Sequence, residues 1–285
     1  MSAALPVAPG LHFVATPIGA ARDITLRALD ILTAADVLAA EDTRTARKLM
    51  DIHGIPVSGR LMIPYHDHNG AEARPRILTA LEQGKSVAYV SEAGTPLVAD
   101  PGYQLGRAAI EAGYPVFSAP GASAALAALT VSGLASDRFL FVGFAPSQSG
   151  ARMRWLEGLD GAGATVILYE SPKRVHRLLG ELCEVLGSDR EMALCRELTK
   201  RFEEVLRGTC GQVRDMVSDR TLKGEIVVVI SRAPALAPSD ADVEAALRHA
   251  LSTMPLKAAS TLVATQLHLS KPDVYQMGLR LKQSD

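Results

Sequence analysis

The feature that most limits this chain is a strict alternation of short apolar runs with helical patterns through its first half. The runs fall at 11–15, 37–40, 61–64, 86–90 and 116–117. Between them the period changes: Leu26, Leu29 and Leu32 recur at helical spacing, as do Ile77, Leu78 and Leu81, and Gly54, Gly84 and Gly113 stop the helices. Parallel strands need a crossover, and a helix is the crossover that buries its own apolar stripe. The expectation is a doubly wound parallel α/β domain over 11–133, preceded by a loose Pro/Ala tail at 1–10. Its ligands belong beyond the carboxyl ends of the strands, where open α/β sheets bind.

A second α/β set is expected over 134–232. It has strand patterns at 139–144, 165–169, 192–195, 204–207 and 226–230, the last being the strongest, and helices near 148–159, 173–186 and 212–217. The segment 233–285 reads as a Pro/Ala linker and three helical patterns, 242–251, 256–267 and 271–282. Ser270-Lys271-Pro272-Asp273 resembles a capping box. The turn between the last two helices resembles a helix-turn-helix, which would serve RNA contact or dimerisation; the alternative is a small helical cap packed on the second domain.

The loop after the fourth strand, Ser91 to Gly102, has little side-chain bulk and lets a ligand approach the main chain. Asp100-Pro101 reads as the start of the next helix, to Ala112, with Asp as N-cap and Pro in the first turn. Ser171-Pro172 repeats that signal. Neither G-x-G-x-x-G after the first strand, nor G-x-x-x-x-G-K-[ST], nor G-x-S-x-G is present, so no phosphate cradle or nucleophile elbow is supported. Cys183, Cys195 and Cys210 have no C-x-x-C spacing, which argues against zinc and a disulfide framework and for a reducing compartment. His66-Asp67-His68 would turn both imidazoles to one side of an extended segment. No third ligand is evident, so no metal is expected, and these residues suit substrate binding or proton transfer.

No apolar run approaches the roughly 18 residues of a membrane span, and 1–10 lacks the basic and apolar regions of a signal peptide. A soluble cytoplasmic protein is expected. Thirty Lys and Arg against 31 Asp and Glu give a net charge of −1. That argues against a polybasic coat but not against a local basic face. Basic residues cluster at Arg44, Arg47 and Lys48, at Arg74 and Arg76, at Arg152 and Arg154, at Lys173, Arg174 and Arg177, and at Lys200 and Arg201. Each cluster alone has a plainer reading as a solvated helix face.

Nine short motifs follow in order: Ala15-Thr16-Pro17-Ile18-Gly19, Ala40-Glu41-Asp42-Thr43-Arg44, Tyr65-His66-Asp67-His68-Asn69, Ser91-Glu92-Ala93-Gly94-Thr95-Pro96, Asp100-Pro101-Gly102, Pro120-Gly121-Ala122-Ser123-Ala124, Tyr169-Glu170-Ser171-Pro172-Lys173-Arg174, Arg196-Glu197-Leu198-Thr199-Lys200 and Gly224-Glu225-Ile226. In that order the chain resembles the tetrapyrrole-methylase-like (class III) S-adenosylmethionine methyltransferases, above all their bacterial small-subunit ribosomal RNA branch. The resemblance runs from Leu11 to about Lys282. It implies two α/β domains with the methyl donor in the cleft between them, and transfer of the methyl group to the ribose 2′-hydroxyl of a decoding-centre cytidine in 16S rRNA. It also implies a homodimer, for which the small-residue helix 122–129 offers close packing.

The porphyrinoid enzymes' Gly-Asp-Pro donor loop stands here as Gly94-Thr95-Pro96. The donor-binding residues implied are Thr16, Pro17, Ser91, Glu92, Ala93, Gly94, Thr95, Pro96, Pro120, Gly121, Ser123, Glu170, Ser171, Pro172, Arg196, Glu197, Gly224 and Glu225. The absence of phosphate cradles agrees, because the donor has no phosphate and its sulfonium suits carbonyl-rich loops better than a helix N-terminus. Candidates for the base that takes the hydroxyl proton are Glu92, Asp67, His66, Asp23 and Asp42. Glu92 is preferred because it lies in the donor loop. Asp23 competes as a helix cap, Asp42 as a partner of Arg44, and Asp100 as a helix cap. Arg22, Arg44, Lys173, Arg174, Lys200 and Arg201 are candidates for phosphate contacts, which position RNA without reading it. Two other readings stay open: a methyltransferase for a small tetrapyrrole or precorrin acceptor, and a non-catalytic RNA-binding assembly factor.

Overall fold

The alternating first half folds as β1 (Gly10–Val14), α1 (Leu26–Ala34), β2 (Val37–Ala40), α2 (Thr43–Ile52), β3 (Leu61–Pro64), α3 (Gly70–Glu82), β4 (Ser86–Val90), α4 (Tyr103–Glu111), β5 (Val116–Ala119) and α5 (Ala124–Ser132). This is a computed structural model, and it describes residues 7–57, 59–233, 239–267 and 269–284. Most of the expected tail (1–6) and linker (234–238) lies outside the described residues.

The five strands form one parallel sheet in the order β3-β2-β4-β1-β5. Side-chain alternation divides its core into two layers. Leu11, Phe13, Val37, Ala39, Val87 and Tyr89 pack with Ile77, Leu81, Leu105 and Ala109 of α3 and α4. Val14, Leu38, Ala40, Ala88 and Val90 pack with Ala28, Leu32, Ala46 and Met50 of α1 and α2. Asp36 and Ser86 fix the start of β2 against the start of β4. Asp36 Oδ2 accepts from the Ser86 N–H at 2.8 Å and its hydroxyl at 2.7 Å. These bonds hold the Asp36 carboxyl below its ordinary pKa. A one-residue slip here would turn both strands inside out.

The topology places the site. The chain leaves β1 towards β2 on one side of the sheet, and leaves β4 towards β5 on the other. β1 and β4 are neighbours, so a crevice opens beyond their carboxyl ends, at a topological switch point.

The second half is a mixed sheet. It comprises β6 (Phe139–Phe144), α6 (Ser149–Asp160), β7 (Thr165–Glu170), α7 (Val175–Leu186), β8 (Glu191–Arg196), β9 (Glu204–Thr209), α8 (Cys210–Val217) and β10 (Ile226–Ile230). The order is β6-β7-β10-β8-β9, and only β6 and β7 run parallel. One face carries α6, α7 and α8 over Leu156, Leu178, Leu182, Val213 and Val228. The other is covered by α5: Ala125, Ala128 and Leu129 pack on Ile167, Ala193, Cys195, Val227 and Val229. The close approach that these alanines permit is thus used within the chain. In register, Ile226 opens β10 opposite Glu170, the end of β7, and Arg196, the end of β8.

Residues 1–233 make one compact unit and 234–285 a second. The second unit packs α9 (Asp240–Leu251), α10 (Leu256–Gln266) and α11 (Lys271–Ser284) around Val243, Leu247, Ala259, Val263 and Val274. Ser239 and Asp242 form a reciprocal capping box at the start of α9.

Two helix starts differ from expectation. Asp100 does not cap α4; Gly102 does, at φ +124°. The Tyr89 hydroxyl takes the Pro101 carbonyl at 2.9 Å, and Gly102 sits where a Cβ would meet Leu97 and Tyr89. The loop is therefore pinned open for two further residues. Ser171 likewise does not cap α7. Its carbonyl accepts from Arg174 and Val175 in a turn, and the helix begins at Val175. The cap of α1 is Thr25, its hydroxyl accepting from the Ala28 N–H at 3.1 Å, and not Asp23.

Candidate functional site

The exits of β1 and β4 are joined by a two-way backbone bridge. The Thr16 N–H donates to the Gly94 carbonyl at 2.9 Å and the Gly94 N–H to the Thr16 carbonyl at 3.1 Å. Gly94 is left-handed, at φ +83°, and a Cβ there would lie 3.3 Å from Ile18 Cγ2. The Thr95 hydroxyl donates to the Ala122 carbonyl at 2.9 Å and ties this loop to the turn before α5. A cavity of about 410 Å³ opens in front of the bridge. Its first wall is Ile18, Glu41, Glu92 to Thr95 and Val98 to Asp100; its second is Phe144, Tyr169 to Pro172 and Gly224 to Val227; Ser123 and Ala124 lie between.

Of the expected donor-binding residues, Glu92, Ala93, Gly94, Thr95, Ser123, Glu170, Ser171, Pro172, Gly224 and Glu225 line this cavity. The others stand behind it. Thr16 makes the bridge, and its buried hydroxyl has no partner. The Ser91 hydroxyl lies 3.4 Å from the Gly94 carbonyl. Gly121 meets Ala15 too closely to carry a Cβ. Glu197 accepts from the Glu225 N–H at 3.0 Å, and its own N–H donates to the Glu225 carbonyl at 3.0 Å. Gly224, at φ +88°, leaves no room for a Cβ against the Glu197 carboxyl. Arg196 is turned to Glu204 at 3.1 Å. Pro17, Pro96 and Pro120 are not in the lining.

Carboxylates dominate the wall: Glu41, Glu92, Asp100, Glu170 and Glu225 line the cavity, and no Lys or Arg does. Asp100 is the most perturbed. Burial raises its pKa to about 7, helped by the negative charges of Glu41, Glu92 and Asp67 and opposed by a hydrogen bond from Ser91. Burial also pushes Tyr169, on the second wall, up to about 12, and the Asp100 charge adds to that. Leu97 (φ +72°) and Ala99 (φ +60°) hold left-handed backbones just before Asp100, a conformation non-glycine residues keep only where the surroundings impose it. Sequence reasoning gave Asp100 a capping role and overlooked Glu41. The signal that identifies both is burial in a shared cavity, which neighbours in sequence do not reveal.

The other catalytic candidates lie apart from this wall. His66, Asp67 and His68 are not in the lining; they form the turn before α3, the two rings 6.1 Å apart edge to face. Asp67 is near enough for its charge to act on Asp100. Asp23 borders a separate shallow groove with Arg22 and Thr25. Asp42 caps α2 and pairs with Arg44 at 2.8 Å, which holds its carboxyl well below the ordinary range. No group of three or more His, Cys, Asp or Glu side chains able to hold a metal is found among the described residues.

The basic candidates divide. Arg174 is structural: it lies 3.2 Å from Glu170 Oε2, too poorly aligned for a hydrogen bond, and donates to the Ala145 and Pro146 carbonyls. Lys200 bridges Glu197 and Glu225 at 3.0 and 3.1 Å. Arg22, Arg44, Lys173 and Arg201 are exposed, Arg201 above the ring of the exposed Phe202.

Residues 10–214 match the family model of Tetrapyrrole (Corrin/Porphyrin) Methylases, and residues 237–282 match the RsmI C-terminal HTH domain. A protein of Mesorhizobium japonicum named ribosomal RNA small subunit methyltransferase I is 48% identical, over 98% of this chain and 94% of its own. Proteins of the same name from Erythrobacter litoralis (45% identical, 97% of each chain) and Escherichia coli O157:H7 (40%, 94% of each) are similarly alike. Among solved structures, a cobalt precorrin-4 methyltransferase superposes with a TM-score of 0.59 at 17% identity, over 78% of this chain and 94% of its own. Diphthine synthase gives 0.58 at 17%, over 78% and 89%. At such identity these structures speak for the fold alone. By sequence, along nearly its whole length, the chain belongs to the tetrapyrrole (corrin/porphyrin) methylase family, within its ribosomal RNA small subunit methyltransferase I group.

Proposed function

We propose that the cavity binds S-adenosylmethionine and that the protein transfers its methyl group to the ribose 2′-hydroxyl of a cytidine in 16S rRNA, in the small ribosomal subunit. The observation that carries the donor assignment is the wall itself: five carboxylates, small residues at Ala93, Gly94, Ser123, Ala124 and Gly224, and no basic side chain. Such a wall suits a sulfonium and an ammonium group and repels a phosphate. Thr95, Ser123, Ala124, Gly224 and Ile226 would offer main-chain donors and acceptors to the adenosine and amino acid ends, on a loop that the Thr16–Gly94 bridge holds in place. When bound, the donor supplies an activated methyl group. The protein's part is to align the acceptor oxygen with it and to exclude water.

The acceptor is assigned through the relatives. Those that are 38–48% identical are named for small-subunit ribosomal RNA, whereas the precorrin enzyme shares only 17%. Exposed Arg22, Arg44, Lys173 and Arg201 would meet the RNA backbone, with the helices of 239–284 as a second contact. A homodimer acting in the cytoplasm fits this reading.

The test is direct. The protein and labelled donor are incubated with small subunits lacking the modification, with free 16S rRNA and with precorrins, and label is mapped by nucleotide. Label on one cytidine ribose is expected. Label only on a precorrin or a protein overturns the acceptor assignment, and tight donor binding without transfer to any substrate favours an assembly factor. Sedimentation of the free protein tests the dimer.

A further inference from the structure

We propose that Phe202 and Arg201, in the turn between β8 and β9, form a stacking platform for an unpaired RNA base near the acceptor nucleotide; the proposal rests on the methyl-transfer reading above. Phe202 is 62% exposed. A lone exposed apolar side chain by itself means little; what distinguishes this one is its mounting. Leu198 is the turn's buried anchor, 7% exposed, in the cluster that holds Ile18 and Ala125. Glu197 and Thr199 beside it are left-handed, at φ +51° and +64°, which only tightly fixed surroundings impose. The Thr199 N–H donates to Glu203 at 2.6 Å, and the Thr199 hydroxyl accepts from the Ala20 N–H at 3.0 Å. Gly19 has no room for a Cβ against Thr199 and Lys200. The turn is thus seated against the loop after β1, and the ring stands on a fixed base. A platform ordered before its ligand arrives loses less entropy on binding.

Charge selects the partner. Arg196 pairs with Glu204, Lys200 bridges Glu197 and Glu225, and Glu203 holds Thr199. Arg201 has no carboxylate partner among the described residues, and its guanidinium carbon lies 5.4 Å from the centre of the Phe202 ring. A cation over one face of the ring leaves the opposite face for a base, while the guanidinium can reach a phosphate. A paired helix keeps its ring faces inside the stack, so the partner is a loop or a splayed strand.

Position agrees. Lys200 holds Glu225 of the second cavity wall. Thr199 lines the shallow groove, of about 450 Å³, with Ile18, Arg22, Thr25, Ser123 and Leu126. Ile18 and Ser123 line the cavity as well, so groove and cavity adjoin. Arg22 and Asp23 are the charged residues of the groove's lining, and they cancel. The acidic cavity repels phosphates; the neutral groove does not. A strand whose acceptor ribose enters the cavity therefore continues along the groove towards the turn. Drawing that nucleotide out of its stack leaves its neighbours without a stacking partner, and Phe202 supplies one.

The test uses the full chain and small subunits lacking the modification. Phe202→Ala should weaken subunit binding by about tenfold or more and lower kcat/KM to match, while calorimetry shows unchanged affinity for S-adenosylmethionine. Phe202→Trp should stay within about threefold of wild type. Its added indole emission, measured over that of the one native tryptophan, Trp155, should be quenched when subunits bind. Phe202→Leu keeps the apolar bulk without the ring and should behave like the Ala variant. The salt slope of binding should be unchanged in Phe202→Ala and smaller by about 0.7 in Arg201→Gln. Wild-type affinity and kcat/KM in Phe202→Ala overturn the platform, and so does a Leu variant as good as Trp, which would leave apolar contact alone. If wild type sediments as a dimer and Phe202→Ala as a monomer, the ring belongs to a second copy of the chain and the RNA role falls. Wild type that binds donor but transfers to no RNA sinks the methyl-transfer reading itself; normal transfer by both wild type and Phe202→Ala sinks the platform alone.

Discussion

A Cβ on Gly94 would lie 3.3 Å from Ile18, on a backbone at φ +83°; a Cβ on Gly54, at φ +66°, would meet nothing. The two glycines therefore separate backbone strain from site geometry. Gly54→Ala should cost about 1 kcal/mol of stability and leave donor affinity unchanged. Gly94→Val adds a clash at the cavity wall, and calorimetry should show donor affinity at least about tenfold weaker while the chain still folds. Unchanged affinity would remove Gly94 from the donor site. Asp100 offers a stability test. Its folded pKa of about 7 lies above the ordinary 3.8, so the native state holds an extra proton between those values. Its contribution is full below 3.8 and is lost as pH rises through about 7. The site is only partly buried, so solvent screening holds the effect to about 1–2 kcal/mol. From pH 5 to 8 wild type should lose a few degrees of Tm relative to Asp100→Asn; parallel curves would count against the shifted pKa. The small-residue loop itself was legible in sequence. The place of Asp100 on the cavity wall was not, because Asp-Pro before an apolar period is also the ordinary wording of a helix start.

That ambiguity belongs to elements. Asp100-Pro101 and Ser171-Pro172 both stand one turn ahead of the helix they seem to open, because tertiary bonds that local propensity does not contain, Tyr89 to Pro101 and Arg174 to Ala145 and Pro146, tie each loop. Strands were read well: buried β1, β2, β4 and β10 are short apolar runs between clear stops. The mixed order of the second sheet was not legible, since apolar runs do not state direction. Arg152 shows the same limit for a side chain on α6. In sequence it joins Arg154 as a basic cluster, yet it is 2% exposed and paired with Glu181 of α7, which also accepts from Ser149 at 2.7 Å. Arg152 Nη1 also donates to the Pro146 and Ser147 carbonyls, at 2.9 and 3.1 Å. Removing one partner strands a buried charge. Glu181→Ala should therefore cost about 3–5 kcal/mol in urea unfolding, and Arg152→Met with Glu181→Leu distinctly less. Equal losses would mean that the pair itself, not the stranded charge, supplies the stability.

At the scale of the molecule, a net charge of −1 conceals a division of labour. The cavity wall is acidic, while exposed Arg22, Arg44, Lys173 and Arg201 stand outside its lining. An anionic substrate would be repelled by the wall and held by the cations, so the two ligands should respond differently to salt. RNA affinity should fall with salt, by about 0.7 in logarithmic slope for each phosphate neutralised, and each Arg or Lys replaced by Gln should remove about one phosphate's share. Donor affinity, set by short-range contacts in a half-enclosed cavity, should change little over the same range. The division also bears on the C-terminal helices. The apolar clusters of 1–233 are built from Val7 to Ile230, and that of 239–284 from Val243 to Leu281, so each unit carries its own core. Every residue of the cavity wall precedes Ala233. A chain ending at Ala233 should therefore unfold cooperatively and bind S-adenosylmethionine like the full chain, while its affinity for small subunits drops by an order of magnitude or more, about 1.4 kcal/mol at least. Weakened donor binding would place part of the site in the last helices. Undiminished subunit binding would leave RNA recognition to the basic side chains of 1–233 alone.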